Sequence, residues 1–566
     1  MDTRVTLHNA DIANVFDEIG DLLELAGENT FRVRAYRNAA RVLGELGGDI
    51  ATRLEHGESI PKLPGFGADL EGKLREIAAT GTCPLLDELH RRFPRGITEL
   101  LRLPGLGPKR VALLHRKLRV TSLPDLDRAV RAGRLRGLRG FGEKTERTLA
   151  EALRARDTKA RRFLLALAAQ YAEPFARYLD ATAAGSYRRR KETVGDLDFL
   201  VASKHPVQVV DAFAAYPEVV RVLARGTTKA SVVLACGIQC DLRVVAPESF
   251  GAALHYFTGS KAHNIAVRKL GIERGLKINE YGVFRGARRI AGETEESVYA
   301  SVGLPWIAPE LREDLGEIEA AANGKLPQLV TLDDLQGDLH AHTSASDGRQ
   351  SIAEMAAAAR VRGLKYIAIT DHSRGLAIAH GLDPARLARQ GAAIDALNAA
   401  NPGVRVLKGI EVDILGDGRL DLPDAALAKL DIVVAAVHSR FALSRARQTA
   451  RILAALDHPR VSILAHPTGR LIDEREPYDV DIQAVIAKAR ARGIALEIDA
   501  QPNRLDLSDV HCRMAKDAGI KLAIDSDAHT AAGFDDLHHG VAQARRGWLE
   551  KTDVLNARPL GELQRL

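Results

Sequence analysis

Residues 185–203 read GSYRRRKETVGDLDFLVAS, and the fold of the middle of the chain turns on the second half of that stretch. DLDFLVAS is short, apolar and β-prone, so it is expected to form a strand that carries two acids. Asp196 and Asp198 stand two residues apart, which sends both carboxylates out of the same face. A third acid, Asp241, sits in CDLRVV, a second strand able to pair alongside. Three convergent carboxylates can hold two divalent cations about 3.5–4 Å apart and clamp both oxygens of an in-line displacement. Oxygen-only ligands favour Mg²⁺ or Mn²⁺. Gly185, Ser186 and Arg189 offer backbone, hydroxyl and guanidinium donors suited to a triphosphate, and Gly195 opens the acidic run. A lone Asp-x-Asp is common in surface turns. Gly-Ser followed closely by GDLD, with a later strand-borne Asp, is much more specific.

Upstream of this stretch the texture is different. Residues 1 to about 160 read as short amphipathic helices broken by Gly and Pro; DIANVFDEIGDLLELAG has helical apolar spacing, with Gly27 as its expected C-cap. Three similar segments recur there: LPGFG with Gly65 and Gly67, LPGLG with Gly105 and Gly107, and LRGFG with Gly140 and Gly142. Each precedes a basic or amphipathic helix, the second beginning with Lys109. Glycines permit a tight turn and close approach, and the helix start offers free N–H groups to a phosphate. One such segment could be a plain helix–helix turn. Three in a basic region, with RRFPRG, GPKRVALLHRKLR, RAVRAGRLRGLRG and YRRRK all before residue 192, suit a polyanion.

Downstream, a connector-like stretch, AANGKLPQLVTLDDLQ, leads into strands alternating with Ala-rich helices. Ionisable residues recur at the ends of apolar runs: GDLHAH (His340, His342), YIAITDH (Asp371, His372), VRVLKGIE (Glu411), IVVAAVH (His438), VSILAH (His466) and LAIDSDAH (Asp527, His529). Asp347 follows the first pair. In a parallel β/α barrel such strand ends converge on one mouth. A single histidine of this kind is more often structural than a ligand, but six segments obeying one rule point to a metal cluster. Imidazoles mixed with carboxylates suit Mn²⁺, Zn²⁺ or Fe.

The Gly-Ser/GDLD/Asp pattern resembles the nucleotidyltransferase superfamily, and in particular the family X DNA polymerases. The resemblance continues in YFTGSKAHNIAVRK: Tyr256, Phe257, Gly259 and Ser260 match that family's sugar-and-base pocket, while Asn264 and Arg268 match its minor-groove-facing positions. The three Gly-x-Gly segments resemble helix-hairpin-helix motifs, which hold DNA backbone without reading sequence. RAYRNAA and the first hairpin resemble the family's small lyase-type domain, with Lys73 at the Schiff-base position. Arg32 and Asp69 stand where lyase-active members carry lysines. The C-terminal region resembles the polymerase and histidinol phosphatase (PHP) domain. All nine positions of its metal pattern are filled: His340, His342, Asp347, His372, Glu411, His438, His466, Asp527 and His529. Asp371 and His380 fall outside the nine and are expected to cap or support.

By resemblance the chain is multidomain, α+β and α/β. The expected order is a lyase-like helical domain (1–90), a second helix-hairpin-helix domain (91–160), a nucleotidyltransferase palm (161–250), a nucleotide-selection and thumb domain (251–320), a linker (321–336) and a distorted β/α barrel of PHP type (337–566). The implied function is gap-filling DNA polymerisation in base excision repair on gapped or nicked duplex DNA with dNTPs. Two Mg²⁺ or Mn²⁺ ions are implied in the palm, and up to three Mn²⁺ or Zn²⁺ ions in the barrel. The implied barrel activity is 3′→5′ exonuclease, 3′-phosphatase or AP endonuclease, and sequence does not choose among them. Competing readings are an end-processing nuclease with an inactive palm, a non-enzymatic repair scaffold, and a phosphatase acting on small monoesters.

The composition is compatible with this. At 566 residues the chain is too long for one core. Its 46% hydrophobic and 27% charged residues are those of a soluble protein. Four scattered cysteines argue against a disulfide framework and for a reducing compartment. The N-terminus lacks a signal-peptide layout and no apolar run is long enough to span a bilayer, so a cytoplasmic protein without membrane association is expected. Nothing demands more than a monomer.

Overall fold

The computed structural model describes residues 9–44, 50, 54, 66–94, 96–101, 103, 106–138, 141–142, 145–150, 153, 162–400 and 403–563. The chain divides into two compact units, Met1–Arg162 and Phe163–Leu566. In the first, the helix Asn9–Ala26 buries Ile12, Phe16, Ile19, Leu22 and Leu23, an apolar stripe at helical spacing that nucleates an all-helical core. Gly27, at φ +76°, closes it, with the Glu28 amide bonded back to the Leu23 carbonyl at 3.0 Å.

The second unit opens with the palm. Strands β1 (Phe163–Leu164) and β3 (Thr193–Val194) form a short ladder. A five-stranded sheet is built from β2 (Thr182–Ala183), β4 (Asp196–Ala202), β5 (Val219–Arg225), β6 (Lys229–Leu234) and β7 (Gln239–Val245) in the order β2-β4-β7-β6-β5. Only β4 and β7 run parallel within it; this pairing sets the site, because its register puts Asp198 opposite Asp241. Helices Leu165–Leu179 and Pro206–Ala214 cover one face, with Phe175 and Phe213 stacked at 4.9 Å. Beyond it in the chain lies a three-stranded antiparallel sheet of β8 (Lys277–Asn279), β9 (Gly282–Arg285) and β10 (Arg288–Ala291).

Palm and thumb are joined by a buried charge cluster. Arg188 donates both guanidinium nitrogens to Glu295, at 2.7 and 2.8 Å, and Arg312 reaches the same carboxylate from the other side. Burial would raise the Glu295 carboxyl, but hydrogen bonds and charge from the two arginines outweigh it and hold the group well below the usual carboxylate range. Replacing Glu295 with Gln leaves two arginines without their counter-charge and should cost about 3–5 kcal/mol. A depressed carboxyl contributes fully above its unfolded pKa of about 4.3 and loses that contribution as pH falls. The deficit of the variant in denaturant melts should therefore be largest at neutral pH and shrink at pH values below the unfolded pKa.

The segment 321–336 is tied to the C-terminal barrel: Val330 donates to the Leu549 carbonyl at 2.9 Å, and its side chain is buried in the barrel's core. Trp548 in turn packs with Leu304, Ile307 and Leu311 of the thumb. The barrel contains seven parallel strands in sequential order: β11 (Gly337–Ala341), β12 (Tyr366–Ile369), β13 (Arg405–Asp413), β14 (Ile432–Ala436), β15 (Ile463–Leu464), β16 (Ala495–Asp499) and β17 (Leu522–Asp525). A parallel bridge between Ala341 and Ala528 brings the last strand back beside the first. Such strands are buried on both faces and read as continuous apolar runs, which is why any charge on them stands out.

Candidate active sites in the palm and the barrel

In the palm, Asp196 opens β4 exposed, Leu197 points into the core, and Asp198 returns to the same face as Asp196, half-buried. Asp241 accepts from Gln239 Nε2 at 2.9 Å and from the Ser231 hydroxyl. Burial, and then the charges of Asp196 and Asp241, push the Asp198 carboxyl up to about 7, although Arg243 and Arg189 pull it down. Three like charges at this spacing are unfavourable alone, and divalent cations fit the deficit. Gly185 crosses directly above, at φ +61°; a β-carbon there would lie 2.1 Å from Asp198 Oδ2. Gly185→Ala should therefore displace Asp198 and abolish nucleotide incorporation, while 3′-end shortening by the same protein is unchanged; a primer-extension assay reads both. Ser186 lies in the short helix Gly185–Arg188, and Gly195 immediately precedes β4. The Arg189 guanidinium does not point free into the site: Nε donates to Glu313 at 2.9 Å and one terminal nitrogen to the Thr258 carbonyl at 2.7 Å.

Of the thumb residues, Tyr256, Asn264 and Arg268 line one recess. Asn264 Nδ2 donates to the Tyr256 and Gly259 carbonyls at 2.7 and 3.1 Å. Arg268 stacks over the Tyr256 ring at 5.7 Å, and Arg243 over Phe257 at 5.6 Å. A side chain at Gly259 would meet Asn264 Oδ1 at 2.6 Å, so the turn needs glycine for space. Ser260 caps the helix Lys261–Glu273, which bears Asn264 and Arg268. Asn279 also lines the recess and was not singled out from sequence.

In the helical unit, Gly67 and Gly107 are the N-caps of helices Ala68–Thr80 and Pro108–Leu118, with ordinary negative φ. Open space surrounds Gly67, Gly107 and Gly142, so room for an approaching group, rather than a left-handed turn, is what glycine provides at these positions. Lys109 is exposed in the first turn of its helix. Gly65, Gly105 and Gly140 lie outside the described residues. Lys73 is paired through Nζ with Asp69 one turn earlier. Burial lowers its pKa, but Asp69 and Tyr36 more than reverse that, holding it protonated. That arrangement works against a Schiff-base role, which needs the free amine.

The barrel brings all nine candidate ligands to one mouth. His342, Asp347, His372 and His529 form one group; His340, His342 and Asp527 a second; His372, Glu411 and His438 a third, with the ligand atoms of each within 4.8 Å. His466 Nε2 joins through Glu411 at 3.0 Å. Glu411 is the hub, with His372 Nδ1 at 2.6 Å and His438 Nε2 at 3.1 Å. His340 Nε2 and His342 Nδ1 are buried without hydrogen-bond partners, and His372 Nδ1 beside Glu411 Oε2, like His342 Nε2 beside Asp527, makes a close approach that is not a hydrogen bond. Buried polar atoms left in this state are what a bound cation would satisfy. Although burial opposes it, the surrounding carboxylates push His372 up to about 10 and His438 up to about 9.

A supporting layer of carboxylates orients these ligands. Glu497 takes His340 Nδ1 at 2.6 Å, and Asp413 takes His438 Nδ1 at 2.9 Å, each turning Nε2 inward. Asp338, Asp499, Asp506 and Asp525 are fully buried nearby. Sequence reading passed over all of them; the signal was an acid inside an apolar strand, as in ALEID and LAID. Asp371 clamps the loop that carries Asp347, accepting from the Thr343 amide at 2.8 Å and hydroxyl at 2.6 Å. His380 is exposed.

A carboxylate palm beside a Gly-Ser turn, with a histidine-rich barrel mouth on the same chain, is the layout of a phosphoryl-transfer enzyme with two separate sites for divalent cations. Family models match in three places: a helix-hairpin-helix domain at residues 7–83, the DNA polymerase beta thumb at 253–313 and the PHP domain at 338–499. Along its whole length the chain is 39% identical over 569 residues to the DNA polymerase/3′-5′ exonuclease PolX of Bacillus subtilis (strain 168), covering 99% of each protein. It belongs to the family X DNA polymerases that carry a C-terminal PHP domain. The barrel alone is also similar to smaller proteins. It is 32% identical over 230 residues to a probable phosphatase of Thermoanaerobacter sp. (strain X514), covering 39% of this chain and 89% of that one. A probable phosphatase of Syntrophotalea carbinolica is 30% identical over 230 residues, covering 39% and 90%. Among the described residues no helix is long and apolar enough to cross a membrane.

Proposed function

We propose that this protein is a DNA polymerase that fills short gaps during base excision repair and trims DNA 3′ ends with its barrel as a 3′→5′ exonuclease. The observation that carries the reading is the coexistence on one chain of both sites in complete form. The Asp198–Asp241 register pair lies under Gly185, with the thumb recess on the same unit, and eight of the nine barrel candidates fall into three metal-type groups that His466 joins through Glu411. In the palm, Asp196, Asp198 and Asp241 would hold two Mg²⁺ or Mn²⁺ ions, whose charge neutralises the transferring phosphates. Asp241, fixed by Ser231 and Gln239, accepts the primer 3′-hydroxyl proton. Gly185, Ser186 and Arg189 grip the triphosphate, and Gly195 lets the chain pass close to it. Tyr256, Phe257, Gly259 and Ser260 enclose sugar and base, while Asn264 and Arg268 face the minor groove. Positioning and charge neutralisation carry this reaction.

In the barrel, His340, His342, Asp347, His372, Glu411, His438, His466, Asp527 and His529 would hold up to three Mn²⁺ or Zn²⁺ ions, which supply a hydroxide nucleophile near neutral pH. Glu497 and Asp413 keep His340 and His438 in the ligating tautomer. Gly67, Gly107, Gly142 and Lys109, with the other hairpin glycines, hold the duplex backbone of gapped or nicked DNA.

The test is a labelled primer on gapped duplex DNA with Mn²⁺, with and without dNTPs. Lengthening with dNTPs and shortening without them supports the reading. Shortening whatever the dNTP supply means the palm holds DNA without polymerising. Parallel substrates ending in a 3′-phosphate or carrying an abasic site rank the barrel's activities.

A further inference from the structure

Two arginines of the barrel reach the palm, and one of them meets the nucleotide-side arginine. Arg546, the last residue of the helix Leu537–Arg546, has a side chain only 2% exposed. One terminal nitrogen donates to the Arg189 carbonyl at 2.8 Å and lies 3.2 Å from Glu313 Oε1. Nε and the other terminal nitrogen bind Asp509 Oδ2 at 2.9 and 2.7 Å, which fixes the guanidinium from the barrel side. Glu313 Oε1 is the same oxygen that accepts from Arg189 Nε at 2.9 Å, and Lys191 Nζ lies 3.7 Å from it. Three cations thus share one nearly buried carboxylate. One of them is the arginine assigned above to the triphosphate, and its charge reaches Asp198 in the palm site.

We propose that Arg546 is a positioning residue for dNTP binding, acting from the barrel through Arg189. The inference rests on the reading of Arg189 as a triphosphate ligand. When a triphosphate arrives, Arg189 must leave Glu313. A carboxylate left buried and unpaired would make that exchange costly. Arg546 keeps Glu313 paired when Arg189 swings away, and it anchors the Arg189 backbone so that only the side chain moves. The PHP barrel is then a structural part of nucleotide binding as well as the site of its own hydrolytic chemistry. A second tie, Arg470 to Glu192 at 2.8 Å, joins the same two regions without touching Glu313 and serves as the control.

The experiment uses the full chain in single-nucleotide gap filling, measuring KM and kcat for the dNTP and, in parallel, shortening of the same primer without dNTPs. The variants are Arg189→Ala, Arg546→Met, their combination, Arg546→Lys and Arg470→Gln. The expected result is a rise of about tenfold in dNTP KM for Arg546→Met with kcat and primer shortening within about twofold. Arg546→Lys should recover part of it, Arg470→Gln should leave it unmoved, and Arg546→Met should add nothing once Arg189 is Ala. A normal KM in Arg546→Met alongside a raised KM in Arg189→Ala overturns the proposal while sparing the Arg189 reading. A normal KM in Arg189→Ala overturns that reading and the proposal with it. Equal loss of both activities in Arg546→Met, or the same KM rise in Arg470→Gln, reduces Arg546 to a structural contact and also overturns the proposal.

Discussion

Exchanging Asp198 for Asn is expected to lower nucleotide incorporation by about 10³-fold or more, and to leave shortening of the same primer unchanged. Asp198 is the central acid of the palm, paired in register with Asp241, two residues from Asp196 and directly beneath Gly185. Asn keeps the shape and removes the charge, so the site should lose its hold on cations without losing its architecture. The fold should not suffer. With burial and two like charges already working against the Asp198 carboxylate, its neutral replacement relieves repulsion. Thermal melts in chelator should therefore show the variant at least as stable as the parent. Primer extension and primer shortening, read on one gel, give the activity half of the prediction. Loss of both activities would mean that the two sites act on DNA only as a unit.

The reciprocal change is Glu411→Gln. This carboxylate meets His372, His438 and His466 within 3.1 Å, and His340 and His342 at 3.6 and 3.8 Å. An amide puts an N–H donor where an oxygen is needed, so 3′→5′ shortening should fall by about 10²–10³-fold and nucleotide incorporation should stay. Metal analysis of the purified variant should find at least one ion fewer per chain than the parent. A full metal complement with lost shortening would instead give Glu411 a role in chemistry without ligation. Retained shortening would remove it from the site.

How much of this was legible in the sequence varies from element to element. Asp196, Asp198 and Asp241 could be read because strand alternation and one later strand suffice to bring them to a common face. The barrel ligands could be read because a parallel strand buried on both sides is apolar throughout, so a histidine or acid at its end stands out. Glu497, Asp413 and Asp525 were passed over although they lie on the same apolar strands, because what they do depends on partners far along the chain: Glu497 takes His340 Nδ1, Asp413 takes His438 Nδ1, and Asp525 accepts from the Leu339 amide. Asp69 beside Lys73 could be read as a departure, and the helix places them one turn apart, so the pairing was local. The hairpin glycines are expected for tight turning and for close approach; Gly67 and Gly107 cap their helices with ordinary backbone angles and have open space around them.

By itself the sequence placed paired acids on one strand face, histidines and acids at strand ends and Gly-x-Gly turns before helices, since these depend on local periodicity and turn chemistry, while the kinds of domain and their order followed from its resemblance to a known family. Only the tertiary structure decided how those residues are held. Arg188 is 107 residues from Glu295, His340 is 157 from Glu497, and Arg546 is 233 from Glu313. Partners so far apart meet because buried charges must be neutralised wherever the packed core brings them together, and no periodicity along the chain records that choice.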